Sequence, residues 1–280
     1  MGGIVRPFAR LLAGTGAQVP AFSAGGQLQI DWKSPLANGL IGAYLPGLCY
    51  GDFTSNNGQL TTVGAFGIPV ATPEGHGIGV ASTQAGTALT STAGNLAAGV
   101  GKWVTNGSCF MRFQQVANTV GGASEPLLFV TDGGNVSFVI AEATGTGNTN
   151  VYAFAWGGFT FTANGAAVSN AMHDFTLTMQ INPLTSTLWL DGVSYLTSTL
   201  ASAPVNVLAN SKIEVGGLKD NVITALYFYN KVLTVNDAIA LHNDPYGIFQ
   251  PLISSVFPLA GDPRYHIDQP EAMLPTEIWL

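Results

Sequence analysis

The fold is decided by residues 171–244, which contain alternating apolar segments followed by one short helix. The stretch opens with His173-Asp174-Phe175-Thr176-Leu177-Thr178-Met179, where apolar and polar side chains alternate as in a half-buried β-strand. Leu188-Trp189-Leu190 predicts a second strand and leads directly into Asp191-Gly192, a dipeptide typical of tight hairpin turns. Residues 222–229 predict a further strand. This order predicts an antiparallel β-structure closed by a helix.

The helix is signalled by its first turn. Thr234-Val235-Asn236-Asp237 matches a capping box in its acidic form, in which the threonine hydroxyl and the aspartate carboxylate each accept a hydrogen bond from the other residue's backbone N–H. Ala238 to His242 continue the helix, and Asn243-Asp244-Pro245 ends it. A helix this short is unstable alone in water, so we expect it to pack on the sheets.

Similar strand signals recur outward from this stretch, from about residue 36 to about residue 230. Short alternating runs lie between clusters of Gly, Asn, Asp, Ser or Pro, at residues 108–113, 127–130, 136–141, 151–155 and 159–162. Many short strands at this spacing favour a β-sandwich over a parallel α/β fold.

Composition narrows the class of protein. Charged residues make up 9% of the 280-residue chain, against about 25% in average globular proteins. A hydrophobic content of 47% supplies enough core material to disfavour disorder. The net charge of −7 argues against nucleic acid as a partner. Residues 1–33 contain three basic residues and one acidic residue, which indicates either docking onto an acidic partner or a chance excess.

The sequence contains few features that indicate where the protein is located or whether it forms disulfides. No apolar run is long enough for a membrane span, and the N-terminus lacks the hydrophobic segment of a signal peptide. We therefore expect a protein made in the host cytoplasm without export. Cys49 and Cys109 stand in apolar settings and are expected to be small buried side chains rather than a disulfide, and two cysteines cannot make a structural zinc site.

The chain resembles laminin-G-like and concanavalin-A-like domains at several motifs. Residues 39–60 resemble the family's opening strand and Gly/Asn-rich turn. Leu188-Trp189-Leu190-Asp191-Gly192-Val193 is similar to its Leu-x-Val-Asp-Gly hairpin, and Tyr229-Asn230-Lys231-Val232-Leu233-Thr234 to its run before the last helix. The ending at residues 241–249 resembles such domains in tailed-bacteriophage proteins.

The resemblance implies an all-β, antiparallel jelly-roll sandwich with one short C-terminal helix and extended arms. We predict an N-terminal docking arm at residues 1–33, the sandwich at residues 34–250 and a Pro-rich tail at residues 251–280. Apolar and basic side chains in the two ends are candidate assembly contacts: Ile4, Arg6, Phe8, Arg10, Phe257, Tyr265 and Trp279.

The sequence shows no arrangement typical of catalysis or of a cofactor site. Acidic residues are scattered singly, whereas glycoside hydrolysis requires paired carboxylates. His173 is expected to be a packing or hydrogen-bonded residue rather than a base. Residues 222–226 lack the acidic residue that family members often have in the last strand, so no calcium site is predicted. We predict that the protein is not an enzyme and has no cofactor or metal.

Sugar binding remains as an alternative because tryptophan faces suit pyranose rings. Trp103 and Trp156 are candidate glycan contacts, while Trp189 faces either the core or the solvent, depending on the orientation of its strand.

The preferred hypothesis is a bacteriophage virion structural protein, with capsid decoration first and a tail or baseplate position second. Its partners would be other virion proteins, such as the major capsid protein or tail proteins, and it would form a homo-oligomer, with a trimer as the guess. The alternative is a carbohydrate-binding adhesin or tail-associated lectin that binds a surface glycan. A glycosidase would require carboxylate pairs brought together by the fold.

Overall fold

The structure is a computed structural model that describes the following parts of the chain. These parts are residues 28–62, 68–69, 72–74, 77–79, 86–91, 106–115, 125–131, 136–144, 150–156, 159–164, 172–180, 183, 185–199, 212–217 and 221–251.

Nearly all regular structure in these segments is antiparallel β-sheet. The strands are β1 Leu28–Ile30, β2 Leu40–Tyr44, β3 Leu60–Thr62, β4 Ile68–Pro69, β5 Ile78–Gly79, β6 Gly86–Ser91, β7 Asn106–Gln115, β8 Glu125–Thr131, β9 Val136–Thr144, β10 Asn150–Trp156, β11 Phe159–Asn164, β12 Met172–Gln180, β13 Thr185–Leu190, β14 Val193–Thr199, β15 Lys212–Gly217, β16 Asn221–Tyr229 and β17 Phe249–Pro251. A 3₁₀ turn spans Pro35–Ala37, and helix α1 spans Val235–Asn243. α1 is far too short to cross a membrane, and no other helix in the described segments is long and apolar enough to do so.

The strands form two large sheets and one small one, which gives a jelly-roll β-sandwich. One large sheet has the order β11-β10-β9-β8-β15-β6-β3, and the other has the order β14-β13-β12-β7-β16-β5-β4, with β2 also paired to β16. The small sheet pairs β1 with β17. The fold class predicted from the sequence is therefore confirmed.

The centre of the second large sheet, β12-β7-β16, has an apolar face and a mixed face. Phe113 of β7 stacks on Phe175 of β12, with ring centroids 4.9 Å apart, and both rings are buried. On the alternate face, Phe110 stacks on Tyr227 of β16 at 5.3 Å. Because successive side chains of a strand point to opposite faces, the Phe113 face is left for the interior of the sandwich.

The Phe110 face is covered by the chain's own outer elements. Buried residues of α1, the 3₁₀ turn and the β1–β17 pair join it in one cluster: Ile30, Ala37, Leu40, Ala43, Leu45, Phe110, Ala225, Tyr227, Tyr229, Leu233, Leu241, Tyr246, Ile248 and Phe249. The helix packs on the sandwich as its short length requires, and its capping box is present as predicted. Each predicted strand listed above coincides with a strand of the structure.

Strand β1 lies inside the segment predicted as an arm. Leu28 pairs with Pro251 and Ile30 with Phe249, and Ile30 is buried. The last residues of that segment therefore belong to the folded body, beside the start of the predicted tail. The rest of the predicted arm and tail lies outside the described residues.

The turn after β2 is organised by one carboxylate, Asp52. Its Oδ1 accepts hydrogen bonds from the backbone N–H groups of Ala43 and Thr54, and its Oδ2 accepts one from that of Asn57, all at 2.9 Å. The Asn57 amide also donates to Ile41 O at 2.7 Å. This is the segment whose Asp and Asn residues resemble the family's opening turn, and its polar side chains hold β2 to the following loop.

Both cysteines are free thiols, as expected, but only one of the two is buried. Cys109 lies on β7 in the core, and burial raises the pKa of its thiol. Cys49 is exposed, so the expectation of two buried side chains is wrong for this residue. Cys49 follows β2 in a short turn, in which its backbone N–H donates to Leu45 O. Its side chain is exposed at this turn.

Candidate functional site

A buried network of charged side chains crosses the mixed face of the central sheet. Arg112 on β7 donates from Nε to Glu74 Oε1 at 2.9 Å and from Nη1 to Asp174 Oδ2 at 2.8 Å. Its side chain is 6% exposed, and both carboxylates are fully buried. Arg112 and Asp174 are directly opposite each other in the β7–β12 register, so the sheet itself sets their contact. Buried charges of this kind are stable only while they remain paired.

Glu74 has further partners on its second oxygen. Oε2 accepts from the Thr224 hydroxyl at 2.9 Å and from the Tyr246 hydroxyl. Burial, reinforced by the neighbouring Glu74 carboxylate, raises the pKa of Tyr246 well above its usual value, so this hydroxyl stays a donor. Burial alone would lower the pKa of Arg112, but Glu74 and Asp174 outweigh it and raise that pKa. At this end of the network Glu74 is buried and both of its oxygens are hydrogen-bonded, so its role is structural.

The other end of the network approaches solvent at helix α1. His242, in the last turn of α1, lies with Nδ1 2.7 Å from Asp174 Oδ2, and its side chain is 35% exposed. The hydrogen bond to Asp174 raises the pKa of the His242 imidazole, and burial partly opposes this effect.

The turn between β13 and β14 completes this end. Asp191 Oδ1 accepts from the backbone N–H of Asp174 at 3.0 Å, and Asp191 N donates back to Asp174 O at 3.0 Å. His173 Nδ1 donates to Asp191 Oδ2 at 2.7 Å, so His173 is hydrogen-bonded as predicted. Burial would raise the pKa of the Asp191 carboxyl, but the hydrogen bonds from His173 and from the Asp174 backbone outweigh it and lower that pKa.

Backbone geometry fixes Asp191 and His242 relative to each other. Asp191 has φ +51° and Gly192 has φ +72°, both in the left-handed region expected of a two-residue hairpin turn. A Cβ on Gly192 would lie 3.0 Å from His242 Cβ, so the end of the helix packs directly on this turn. The predicted Asp191-Gly192 hairpin is confirmed, and its glycine has a packing role as well.

These residues form the group best suited to hold a metal in the described part of the chain. Asp174, Asp191 and His242 each offer one ligand atom, and the three atoms lie within 4.8 Å of one another. We name this group the junction site.

A second candidate surface is a single exposed ring, Trp32, in the turn after β1. Trp32 is 61% exposed, more than any other aromatic residue whose burial the structure describes. Asp31 anchors the turn: its backbone N–H donates to Ile248 O at 2.8 Å, and its Oδ1 accepts from Lys33 N at 3.0 Å. The ring is therefore presented to solvent from an anchored backbone.

The candidate residues taken from the sequence lie elsewhere. All seven assembly candidates lie outside the described residues: Ile4, Arg6, Phe8, Arg10, Phe257, Tyr265 and Trp279. Trp103 also lies outside them, and Trp156 is described only by its backbone, which ends β10 opposite Phe159 and Phe138. Trp189, whose orientation the alternation left open, stands opposite Thr176 and so lies on the Phe110 face, where it is nevertheless only 8% exposed, while Leu188 and Leu190 lie on the Phe175 face.

Neither the junction site nor the exposed Trp32 ring was predicted from the sequence. Arg112 and Asp174 are charged residues inside segments that the sequence predicts to be strands. Their charge was the available signal for the buried network. Trp32 was included in the predicted arm, so its anchored turn was not anticipated.

The fold defines the class of protein: an all-β domain built as an antiparallel jelly-roll sandwich. No protein-family model and no curated protein sequence matches the chain. Among solved structures, it is similar to domain 4 of AbnA, a GH43 extracellular arabinanase from Geobacillus stearothermophilus, solved in complex with arabinotriose. The identity is 15% and the TM-score 0.53, over 72% of this chain and 98% of that domain.

Two toxin binding domains are similar as well. The binding domain of botulinum neurotoxin DC in complex with SialylT has 14% identity and a TM-score of 0.55 over 74% of this chain. The binding domain of Paraclostridial Mosquitocidal Protein 1 has 13% identity and a TM-score of 0.53 over 74% of this chain. The match covers 52% of each toxin domain, about half its length. At these identities the likeness shows the fold.

Proposed function

We propose that the chain is a non-catalytic carbohydrate-binding module. This is the alternative that the sequence analysis left open, and the comparisons favour it over the virion hypothesis. A domain solved with bound arabinotriose matches this fold over 98% of its length, so the shared architecture is the whole of that module. The toxin domains add less, because the match leaves about half of each uncovered and does not locate their ligands.

The exposed Trp32 ring is the observation in this chain that carries the proposal. An indole combines a large apolar face with one N–H donor, which suits the C–H face and the hydroxyls of a sugar ring. At 61% exposure the ring has a face open to a ligand, although single exposed apolar residues are normal on protein surfaces. Its backbone is anchored to Ile248 through Asp31, so little ordering free energy is lost when a ligand stacks on it.

Polar residues neighbour Trp32 along the chain and in the small sheet that precedes it. Lys33 follows it in the same turn and is exposed. Gln29 of β1 stands opposite Gln250 of β17 in the small sheet beside the turn. Amide and ammonium groups of this kind supply hydrogen-bond partners for sugar hydroxyls, directly or through water.

A glycan array tests the proposal, with the wild-type chain and the variants Trp32→Ala and Val193→Ala. We expect the wild type to bind at least one oligosaccharide and Trp32→Ala to lose about tenfold or more in affinity, since truncating a tryptophan anchor costs about 2 kcal/mol. Val193 is the matched control because it is 68% exposed and has no ring. Equal binding by all three proteins would place the sugar elsewhere, and no binding by the wild type would count against the function itself.

The virion hypothesis stays a prediction, and it leads to a different experimental result. Its support is the low charged fraction of 9%, which suits a surface partly covered by neighbours. A decoration protein would bind no sugar on the array and would co-sediment with a capsid or tail. That the chain is not an enzyme stays a prediction under either function, and turnover of a bound oligosaccharide would contradict it.

A further inference from the structure

The backbone of the turn at residues 31–34 is held in place by hydrogen bonds. Asp31 N donates to Ile248 O at 2.8 Å, which ties the start of the turn to the folded body. Within the turn, Ser34 N donates to Asp31 O at 2.9 Å, and Lys33 N donates to Asp31 Oδ1 at 3.0 Å. The positions from which the side chains of this turn extend are therefore fixed.

The side chains of Trp32, Lys33 and Ser34 are not used in holding this turn. Trp32 is 61% exposed, and Lys33 is exposed as well. Ser34 stands at the N-cap of the 3₁₀ turn, where a serine hydroxyl commonly accepts a backbone N–H, but its side chain makes no capping hydrogen bond. An indole, an ammonium and a hydroxyl thus stand on three consecutive residues, with successive Cα atoms about 3.8 Å apart.

Lys33 differs from the other lysine and arginine residues that the structure describes. Arg112, Lys212 and Lys231 each form an ion pair with a carboxylate, whereas Lys33 forms none within the described segments. Asp31 offsets part of its charge, but the Asp31 carboxylate accepts from the Lys33 backbone N–H and not from the ammonium. The whole chain has a net charge of −7 and repels anions, so an anionic ligand gains most where a local positive charge is unpaired.

We propose that this turn selects acidic oligosaccharides, which carry a carboxylate or a sulfate, over neutral ones. The inference rests on the proposed sugar binding at Trp32 and adds the class of sugar. The indole stacks on the apolar face of one sugar ring, and the Lys33 ammonium pairs with the anionic group of that ring or of its neighbour. The Ser34 hydroxyl can donate to or accept from a sugar hydroxyl. Because a lysine ammonium is a point charge, both anionic groups suit it.

The test is calorimetric titration of the full chain with matched pairs of ligands. In the carboxylate arm, oligouronates are compared with their carboxyl-reduced forms, and in the sulfate arm, sulfated oligosaccharides are compared with their desulfated forms. The variants are Trp32→Ala, Lys33→Gln and Lys33→Arg, all at exposed positions, so each should fold. Lys231→Gln is the control, because it removes one positive charge from an ion pair with Asp237 outside this turn.

We expect the wild type to bind at least one acidic ligand about threefold or more tightly than its neutral counterpart, as for an exposed ion pair. Lys33→Gln should abolish this preference by weakening the binding of the acidic ligand alone. Lys33→Arg should retain the preference, and Lys231→Gln should leave it unchanged.

Two kinds of negative result are distinguishable. Trp32-dependent binding with equal affinity for both members of every pair, or with a preference that Lys33→Gln retains, would overturn the selection of acidic sugars and leave the proposed function intact. If no oligosaccharide binds in a way that Trp32→Ala weakens, sugar binding at Trp32 fails and this inference fails with it.

Discussion

Replacing Arg112 with methionine tests how strongly the buried charge network holds the sandwich together. Methionine keeps much of the side chain's length and packing but removes the guanidinium that joins Glu74 to Asp174. His242, 2.7 Å from Asp174 Oδ2, still supports that carboxylate. Glu74 keeps only neutral partners among those described, the hydroxyls of Thr224 and Tyr246, so it bears most of the cost.

The magnitude follows from two contacts. Each is a buried, charge-assisted hydrogen bond, at 2.9 and 2.8 Å, worth about 1.5–3 kcal/mol. Removing one member of a buried ion pair costs about 3–5 kcal/mol, which agrees with the two contacts taken together. In a chain of this size, a loss near 4 kcal/mol lowers the melting temperature by about 8–16 °C.

The assay is urea unfolding followed by tryptophan fluorescence, with Lys212→Met as the matched control. The Lys212–Glu214 pair is partly exposed, so its loss should cost about 1 kcal/mol or less. The double variant Arg112→Met/Glu74→Gln removes the stranded charge and should recover part of the stability. If Arg112→Met loses no more than Lys212→Met, or if the double variant recovers nothing, the reasoning about the network is refuted.

Three further predictions concern turns and caps, each measured by thermal unfolding beside the wild type. Asp52→Ala removes a carboxylate that accepts several backbone N–H groups and should cost about 3 kcal/mol; a loss under 1 would show that water replaces it. Gly192→Ala should cost about 1–2 kcal/mol because φ is +72° and His242 Cβ lies 3.0 Å away; an unchanged stability would contradict this packing. Thr234→Ala should cost about 1 kcal/mol by removing the helix cap, with Thr234→Ser as the conservative control that keeps it.

Local patterns in the sequence predict most of the described secondary structure. The alternation in residues 173–179 corresponds to β12, Asp191-Gly192 forms the β13–β14 hairpin turn, and Thr234 to Asp237 form the capping box. These features depend on neighbouring residues, so a single sequence carries enough information. The jelly-roll class follows from their order along the chain.

The candidate sites depend on long-range register, which local patterns do not determine. Arg112 is 38 residues from Glu74 and 62 from Asp174, and His242 is 68 residues from Asp174. These contacts exist because β7 lies between β12 and β16 and because α1 packs on the β13–β14 turn. Acidic residues that are scattered singly in the sequence are therefore brought together into a network only by the fold.

Trp32 was missed for a related reason. It follows the basic, glycine-rich N-terminal segment, whose composition favours an arm. Pairing of β1 with β17 and the Asp31 N–H bond to Ile248 O attach it to the body, and both partners come from the far end of the described chain.

Sugar binding through Trp32 is tested most directly by an NMR titration of the tryptophan indole N–H signals. The five tryptophans give separate indole resonances, and Trp32→Phe assigns the one of interest. Arabinotriose and a pool of other oligosaccharides are added to millimolar concentration, so weak binding is also detected. The account predicts that at least one sugar shifts the Trp32 signal in a saturable way. A Trp32 signal that no sugar moves, while the protein stays folded, would contradict it.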